Sequence, residues 1–235
     1  MKKGILILIT VLISCVTYSQ TTIDYKSSGY VKLLQGDISG AIADFTKAIQ
    51  LNSTDVDAYD YRGIAKTQLG DFRGAAADFT KAIEINPIYI SAYNNRGITK
   101  EQLGDYSGAI SDFTKAIQID STFADAYLNR SITKLKLEDF RGAIVDCTKA
   151  ITLGTNFSKA YNTRGIAKGQ LQDYKGAISD FTKAIEINPL DADAFINRGL
   201  AKVVLGEKDS GCLDFSRAGE LGDAKAYQHI KTYCN

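Results

Sequence analysis

The chain has 235 residues, with 28 basic and 27 acidic side chains and a formal net charge of +1. Because the basic residues are evenly spread and balanced by acids, the sequence argues against nucleic acid or an anionic lipid surface as the partner. Tryptophan is absent, and His229 is the one histidine. There is no metal-ligand spacing and no glycine-rich phosphate-binding loop, so the sequence predicts no enzyme, with no catalytic, cofactor-binding or metal-binding residues.

The first residues differ in kind from the rest of the chain. Lys2 and Lys3 precede an apolar run, Ile5–Ile13, which is too short to span a bilayer and is typical of the hydrophobic region of a signal peptide. We therefore expect residues 1–19 to be a signal peptide that is cleaved after Ser19, which would give a periplasmic or secreted protein.

A second processing route stays open for the same segment. Leu12-Ile13-Ser14-Cys15 resembles a bacterial lipobox, and this resemblance implies lipidation of Cys15. The product would then be an outer-membrane lipoprotein, held by a lipid anchor and not by a membrane-spanning helix. Both routes take the protein out of the cytosol.

From residue 22 onward, the sequence repeats every 34 residues without insertion. Ile90–Phe123 is the clearest copy, and Val56–Tyr89 before it is nearly the same. A fixed period of this length indicates stacked supersecondary units and not one closed core. The predicted repeats are residues 22–55, 56–89, 90–123, 124–157, 158–191 and 192–222, followed by a capping helix over residues 223–235.

Each repeat has the pattern of a helical hairpin. If Val56 is position 1 of its repeat, apolar or small residues fill positions 3, 4, 8, 9 and 10, and then 17, 20, 21, 24, 27 and 28. Each set follows the spacing of an amphipathic helix. The helices are joined by Leu69-Gly70-Asp71, where glycine permits the turn and Asp71 can cap the second helix. Asn86-Pro87 predicts the end of that helix.

The repeated residues resemble the tetratricopeptide repeat. The resemblance rests on an aromatic residue at position 4, Gly at 8, Leu-Gly-Asp-aromatic at 14 to 17, Ala at 20, Phe at 24, Ala at 27 and Pro at 32. It covers nearly all of the chain after residue 21. It implies an all-α fold, a right-handed superhelical α-solenoid of six helix-turn-helix units plus a C-terminal capping helix.

The resemblance also implies a concave groove, lined by the first helix of each repeat, that binds a peptide or helix of another protein. Positions 5 and 9 would face this groove, although packing between neighbouring first helices is an equal alternative for the aliphatic residues at position 9. The candidate groove residues are Tyr30, Asp60, Ile64, Asn94, Ile98, Leu128, Ile132, Asn162, Ile166, Ile196 and Leu200. The expected function is a non-catalytic protein–protein interaction scaffold of the bacterial cell envelope, and the alternative is a lipid-anchored structural or assembly factor at the outer membrane through Cys15.

A repeated charge pattern departs from the apolar residues that the family favours at positions 7 and 23. Position 23 is Asp in all six repeats, whereas position 7 is Arg in five and Ser28 in the first. An arginine could pair within its repeat or with the aspartate of the preceding repeat. Because the first repeat has no predecessor and lacks the arginine, we favour the second arrangement. The lysines at position 11 are expected to form a solvated face.

The fourth repeat departs from the pattern at three places. Ser131 replaces glycine at position 8, Cys147 replaces phenylalanine at position 24, and Gly154-Thr155 replaces Asn-Pro. We expect Cys147 to be a buried apolar thiol. The lost aromatic volume predicts a soft joint in the stack, with local repacking as the alternative.

Two cysteines lie near the C-terminus. Cys212 is 10 residues before Gly222 and Cys234 is 12 residues after it. In an antiparallel helix pair these distances bring the two thiols to the same level. We hypothesise a Cys212–Cys234 disulfide that closes the cap, which export would permit, with two separate thiols as the alternative.

Overall fold

The computed structural model describes residues 21–22, 24–154 and 158–234. Over these residues the protein is all-α, with thirteen helices and no strand. These residues fall into two compact units, one that ends at Ile119 and one that begins at Asp120, called here the N-terminal and C-terminal units. The predicted signal peptide over residues 1–19 and the predicted lipidation of Cys15 lie outside the described residues.

The N-terminal unit is a series of helical hairpins. Within this unit, consecutive helices from α2 to α6 pack against each other, and α3 also contacts α5, so that the first helices of neighbouring hairpins meet. The helices are α1 (residues 24–34), α2 (Ile38–Leu51), α3 (Val56–Gln68), α4 (Phe72–Ile85), α5 (Ile90–Gln102) and α6 (Tyr106–Ile119).

The C-terminal unit repeats this arrangement and ends in one additional helix. Each helix from α7 to α13 packs against the next, and α9 contacts both α7 and α11. The helices are α7 (Ala124–Lys136), α8 (Phe140–Leu153), α9 (Ser158–Gln170), α10 (Tyr174–Ile187), α11 (Ala192–Val204), α12 (Lys208–Glu220) and α13 (Ala224–Tyr233).

The turn within each hairpin has the chemistry that the sequence predicts. Asp71 caps α4, because its side chain accepts a hydrogen bond from the backbone N–H of Gly74 at 2.9 Å. Gly70 before it has a φ of 83°, a left-handed conformation that costs glycine little. The same helix ends at Ile85, and its C-cap is Asn86. The predicted cap and helix end are therefore confirmed.

Glycine at position 8 lies against an aromatic ring of the same repeat. A Cβ atom added to Gly63 would lie 2.6 Å from Cε1 of Phe79, so any side chain there would displace the ring. Position 24, on the second helix of the hairpin, therefore packs directly against the glycine of the first helix. Phe79 is buried in a cluster with Tyr59 and Ala82.

The fourth repeat replaces this glycine–phenylalanine contact by a polar one. Cys147 is a free, fully buried thiol, as predicted, and it donates a hydrogen bond to the Ser131 hydroxyl, with Sγ and Oγ 3.1 Å apart. Ser131 in turn donates to the carbonyl of Leu128 at 2.6 Å. Burial raises the pKa of the Cys147 thiol to about 11, so the thiol stays protonated at neutral pH. The two substitutions thus replace a glycine–phenylalanine contact by a hydrogen bond between the two new side chains, while the predicted soft joint stays a prediction.

Candidate functional site

The repeated arginine and aspartate pair within one repeat. Arg62 donates from Nε to Oδ2 of Asp78 at 2.9 Å and from Nη2 to Oδ1 at 2.6 Å, a bidentate contact. The other pairs of this kind are Arg96–Asp112, Arg130–Asp146, Arg164–Asp180 and Arg198–Asp214. The prediction that each arginine pairs with the preceding repeat's aspartate is wrong. Positions 7 and 23 face each other across one hairpin, as positions 8 and 24 do, so the nearest carboxylate belongs to the same repeat.

A link between neighbouring repeats exists, but a threonine provides it. Nη1 of Arg62 donates to Oγ1 of Thr46, on α2, at 3.1 Å. The Thr46 hydroxyl gives its own hydrogen to the carbonyl of Ile42, so a lone pair is left to accept the arginine. The same bond joins Arg96 to Thr80, Arg164 to Thr148 and Arg198 to Thr182.

The lysines at position 11 also bind these aspartates. Nζ of Lys66 lies 2.7 Å from Oδ2 of Asp78, and the equivalent lysines of the other repeats make the same ion pair: Lys32, Lys100, Lys134, Lys168 and Lys202. The expectation of a solvated lysine face is wrong. Position 11 lies one helical turn after position 7, so the ammonium group reaches the carboxylate that the arginine already binds. In the first repeat Ser28 takes the arginine's place and donates to Asp44 at 2.6 Å.

The candidate groove residues fall into two classes of exposure. At position 9 the aliphatic side chains are half-buried, and they include Ile64, Ile98, Ile132, Ile166 and Leu200. At position 5 most side chains are buried, and they include Asp60, Asn94, Leu128 and Ile196, while Asn162 is half-buried. Tyr30 is exposed and its ring lies 5.5 Å from that of Tyr61. The accessible part of each first-helix face is therefore built mainly from position 9.

Asparagine at position 6 forms hydrogen bonds between neighbouring first helices, a role that was not predicted from the sequence. Nδ2 of Asn95, on α5, donates to Oδ1 of Asp60 on α3 at 3.1 Å. In the C-terminal unit, Nδ2 of Asn197 donates to Oδ1 of Asn162 at 3.0 Å. Position 6 of one repeat thus binds position 5 of the repeat before it. Asn95 and Asn197 occupy equivalent positions, which was a usable signal in the sequence.

Clefts open between neighbouring first helices at equivalent places in the two units. In the N-terminal unit, a cleft of about 160 Å³ lies between α3 and α5, lined by Ile64, Thr67, Gln68, Phe79, Asn95 and Ile98. In the C-terminal unit, a cleft of about 280 Å³ lies between α9 and α11, lined in part by Ile166, Gly169, Asn197 and Leu200. Gly169 stands where the smaller cleft has Thr67, and its missing side chain leaves additional space.

Asp60, which is hydrogen-bonded to Asn95 of the smaller cleft, has a raised pKa. Burial is the main cause that raises its pKa to about 6, and the nearby charge of Asp57 adds to the rise, although the hydrogen bond from Asn95 opposes it. Asp57 accepts a hydrogen bond from the hydroxyl of Tyr89 at 3.1 Å. Burial, followed by the charges of Asp60 and Asp57, raises the pKa of Tyr89.

A disulfide joins the last two helices in the structure, between Cys212 on α12 and Cys234 after α13, with the Cα atoms 5.8 Å apart. Beside it, the His229 ring stacks on Phe215 at a centroid distance of 5.2 Å. His229 therefore packs as part of the cap and lies on no first-helix face.

Two features are absent from the residues that the structure describes. Across residues 21–22, 24–154 and 158–234, no helix has both the length and the apolar character needed to cross a bilayer. In the same part of the chain, no three side chains of the metal-binding types come together as a cluster that could hold a metal ion.

Repeated helical hairpins, with half-buried aliphatic residues and clefts on the first-helix face, define an all-α helical repeat protein. Sequence profiles described as "Tetratricopeptide repeat" match residues 56–89, 90–123 and 158–190. The chain is a tetratricopeptide repeat protein. Members of this class are generally non-catalytic scaffolds for protein–protein interaction.

Several solved structures share this fold. MamA is 28% identical with a TM-score of 0.63, over 70% of this chain and 96% of that one. YrrB, described as a TPR protein with an unusual peptide-binding site, is 24% identical with a TM-score of 0.65, over 80% of this chain and 97% of that one. PilF of Pseudomonas aeruginosa is 15% identical with a TM-score of 0.80, over 92% of this chain and 99% of that one. No curated protein sequence matches the chain significantly.

Proposed function

We propose that this protein is a non-catalytic scaffold of the bacterial cell envelope that binds a peptide or helix of a partner protein along its first helices. The observation that carries the proposal is the pairing of half-buried aliphatic side chains at position 9 with clefts between neighbouring first helices. Such a surface offers apolar contact to a ligand and amide groups beside it, which suits recognition of a peptide or an amphipathic helix. The description of YrrB as a peptide-binding TPR protein supports the same class of ligand.

Site-specific photo-crosslinking tests this proposal in cells. A benzophenone amino acid replaces Ile98, in the cleft between α3 and α5, or Leu213, which lies on α12 and is 72% exposed. We expect a discrete protein adduct from residue 98 and none from residue 213. The adduct must also disappear when Ile64→Lys is added on the opposite wall of the same cleft. Adducts from residue 213 alone, or a residue 98 adduct that survives Ile64→Lys, would contradict the proposal.

The envelope location rests on the signal-peptide pattern and on the disulfide, since structural disulfides persist in oxidising compartments. The lipobox-like Leu12-Ile13-Ser14-Cys15 favours a second candidate function, a lipid-anchored structural or assembly factor at the outer membrane. Fatty-acid labelling of the wild-type protein and of Cys15→Ser separates the two routes. Label that is lost in the variant, together with globomycin-sensitive processing, would favour the anchored form, and an unlabelled mature protein would favour the soluble one.

A further inference from the structure

The buried aspartates of this protein fall into two groups. Among the described residues, six aspartates are buried, and five of them are bound by both the arginine at position 7 and the lysine at position 11: Asp78, Asp112, Asp146, Asp180 and Asp214. Asp60 is the sixth, and it is 3% exposed. Its hydrogen bond comes from the neutral amide of Asn95, and no cation of the described residues is paired with it. A buried carboxylate without a counter-ion is costly to keep ionised.

The cations near Asp60 are bound to other groups. Nζ of Lys26 lies 3.0 Å from Asp55 and 3.4 Å from Asp57. Arg62 is held by Asp78 and Thr46. Asp55 and Asp57 share this one lysine and Asp60 has no cation of its own, so this part of the N-terminal unit carries an excess of negative charge.

The hydrogen bond that Asp60 makes does not require its charge. At the equivalent place in the C-terminal unit, Asn162 accepts the same bond from Asn197. A neutral asparagine at position 60 would therefore satisfy Asn95 without the cost of a buried charge. The negative charge of Asp60 is therefore not needed for its hydrogen bond. A buried charge that the fold does not need is the pattern expected of a group that interacts with a ligand.

One hydrogen bond connects Asp60 to the cleft between α3 and α5. Asn95 both lines that cleft and donates to Asp60, and Ile64, one helical turn after Asp60 on α3, forms part of the cleft wall. The ring of Tyr61 also borders the negative region, since Asp57 and Asp60 both act to raise the pKa of its hydroxyl, after burial as the main cause. A carboxylate beside aromatic rings suits an ammonium or guanidinium group.

We propose that the α3–α5 cleft binds a lysine or arginine side chain of the partner's peptide, with Asp60 as its counter-ion. The ligand is then a segment in which a basic residue is flanked by apolar residues that contact Ile64 and Ile98. The equivalent cleft between α9 and α11, with Asn162 in place of the carboxylate, has no such preference for charge. This inference rests on the proposed peptide-binding function and specifies the partner's chemistry at one place.

Two fluorescent decapeptide pools test the inference on the mature chain. Both pools are degenerate in Leu, Ile, Ala and Ser; one has a fixed central Lys and the other a fixed central Gln. Fluorescence anisotropy gives the affinity of each pool for the wild type, for Asp60→Asn and for Asp209→Asn. Asp209 is an exposed aspartate on α12, so its variant makes the same change of net charge away from the cleft.

We expect the wild type to bind the Lys pool about tenfold more tightly than the Gln pool, as a close ion pair predicts. Asp60→Asn should abolish this preference and leave binding of the Gln pool unchanged, whereas Asp209→Asn should keep it. Equal binding of the two pools by the wild type would overturn the inference and leave the scaffold function standing. Failure of the wild type to bind either pool would remove the scaffold function together with it.

A second variant keeps the test decisive if Asp60→Asn does not fold. Asn162→Asp places a carboxylate in the C-terminal cleft, where Asn197 can donate to it as Asn95 donates to Asp60. We expect this variant to increase the preference for the Lys pool. An unchanged ratio in Asn162→Asp would count against the inference, because a carboxylate at position 5 would then not be sufficient to select a cation.

Discussion

Asp78 and Asp60 belong to the same repeat and are buried to the same extent, with 4% and 3% of their surfaces exposed. Arg62 and Lys66 bind Asp78, and the ion pairs hold α3 against α4. Asp60 has one amide donor, Asn95, which lines the cleft between α3 and α5. Burial alone therefore does not reveal the role of a carboxylate in this fold. The two aspartates differ in the number of cations that the protein supplies to them. Asp78 has two and holds the hairpin together, whereas Asp60 has none and is the one that we propose for a ligand.

The largest expected effect comes from removing the arginine from the first of these sites. Arg62→Met should lower the free energy of unfolding by about 3 to 5 kcal/mol, because Asp78 stays buried with half of its compensating charge lost. Urea denaturation followed by circular dichroism measures the change. Arg73→Met, at an exposed position on α4, is the matched control and should change stability little. Equal effects of the two variants would show that the ion pair does not stabilise the hairpin.

The second largest effect concerns the disulfide at the last helix, a covalent bond that can be compared with the ion pair of Arg62 and Asp78. The disulfide between Cys212 and Cys234 has a sequence separation of 22 residues, and closing a loop of this size stabilises a protein by about 3 kcal/mol. Replacing both cysteines by serine should lower stability by this amount and make hydrogen exchange in α13 faster. The same exchange rates in reduced and oxidised wild-type protein would contradict a role for the bond in holding the cap.

The third effect concerns Gly63, which follows Arg62 on α3 and packs against the ring of Phe79. Gly63→Ser should cost about 2 kcal/mol, because the new side chain displaces the Phe79 ring. In a protein that already carries Phe79→Cys, the same serine should cost much less, since the pair then reproduces Ser131 and Cys147. A double-mutant cycle by urea denaturation measures this coupling. Additive effects of the two substitutions would show that the pair in the fourth repeat is not compensatory.

The last expected effect is a gain in stability at the second aspartate, and it depends on pH. The folded-state pKa of Asp60 is about 6, above the ordinary value of 3.8, so between these values the folded protein holds a proton that the unfolded chain has released. Stability from this group therefore falls as the pH rises through that range. Asp60→Asn should remove the loss and stabilise the protein by about 2 to 3 kcal/mol at pH 7.

The difference between the wild type and Asp60→Asn isolates this titration. Asp57, Tyr89 and Tyr61 face Asp60 in both proteins, so their contributions largely cancel. We expect the difference in the urea midpoint to be near zero at pH 3.5 and to grow until about pH 6.5. A difference that is constant with pH would mean that Asp60 titrates normally, and that its burial has no electrostatic cost.

Local and periodic features of this protein could be predicted from its sequence. The 34-residue period, the apolar spacing, Asp71 as a cap and the helix end before Pro87 predict the hairpins, because each depends on residues that are close in the chain. The burial of Cys147 follows from the same periodicity, since its position is filled by phenylalanine in the other repeats. For the groove, the sequence identified position 9 as an aliphatic row, but it did not identify Asn95 or the clefts.

The sequence by itself determined the repeat, the helices and the residues that alternate between core and surface, since these follow from spacing along the chain. Only the tertiary structure decided which charges meet. Arg62 could have paired with either of two aspartates, and the choice depends on how the two helices of a hairpin are rotated about their axes, a property that the apolar pattern constrains only loosely. The same rotation gives Asp78 two cations and leaves Asp60 without one. A buried carboxylate acquires its role from the groups that packing brings to it, and identical residue types in one repeat can therefore serve different purposes.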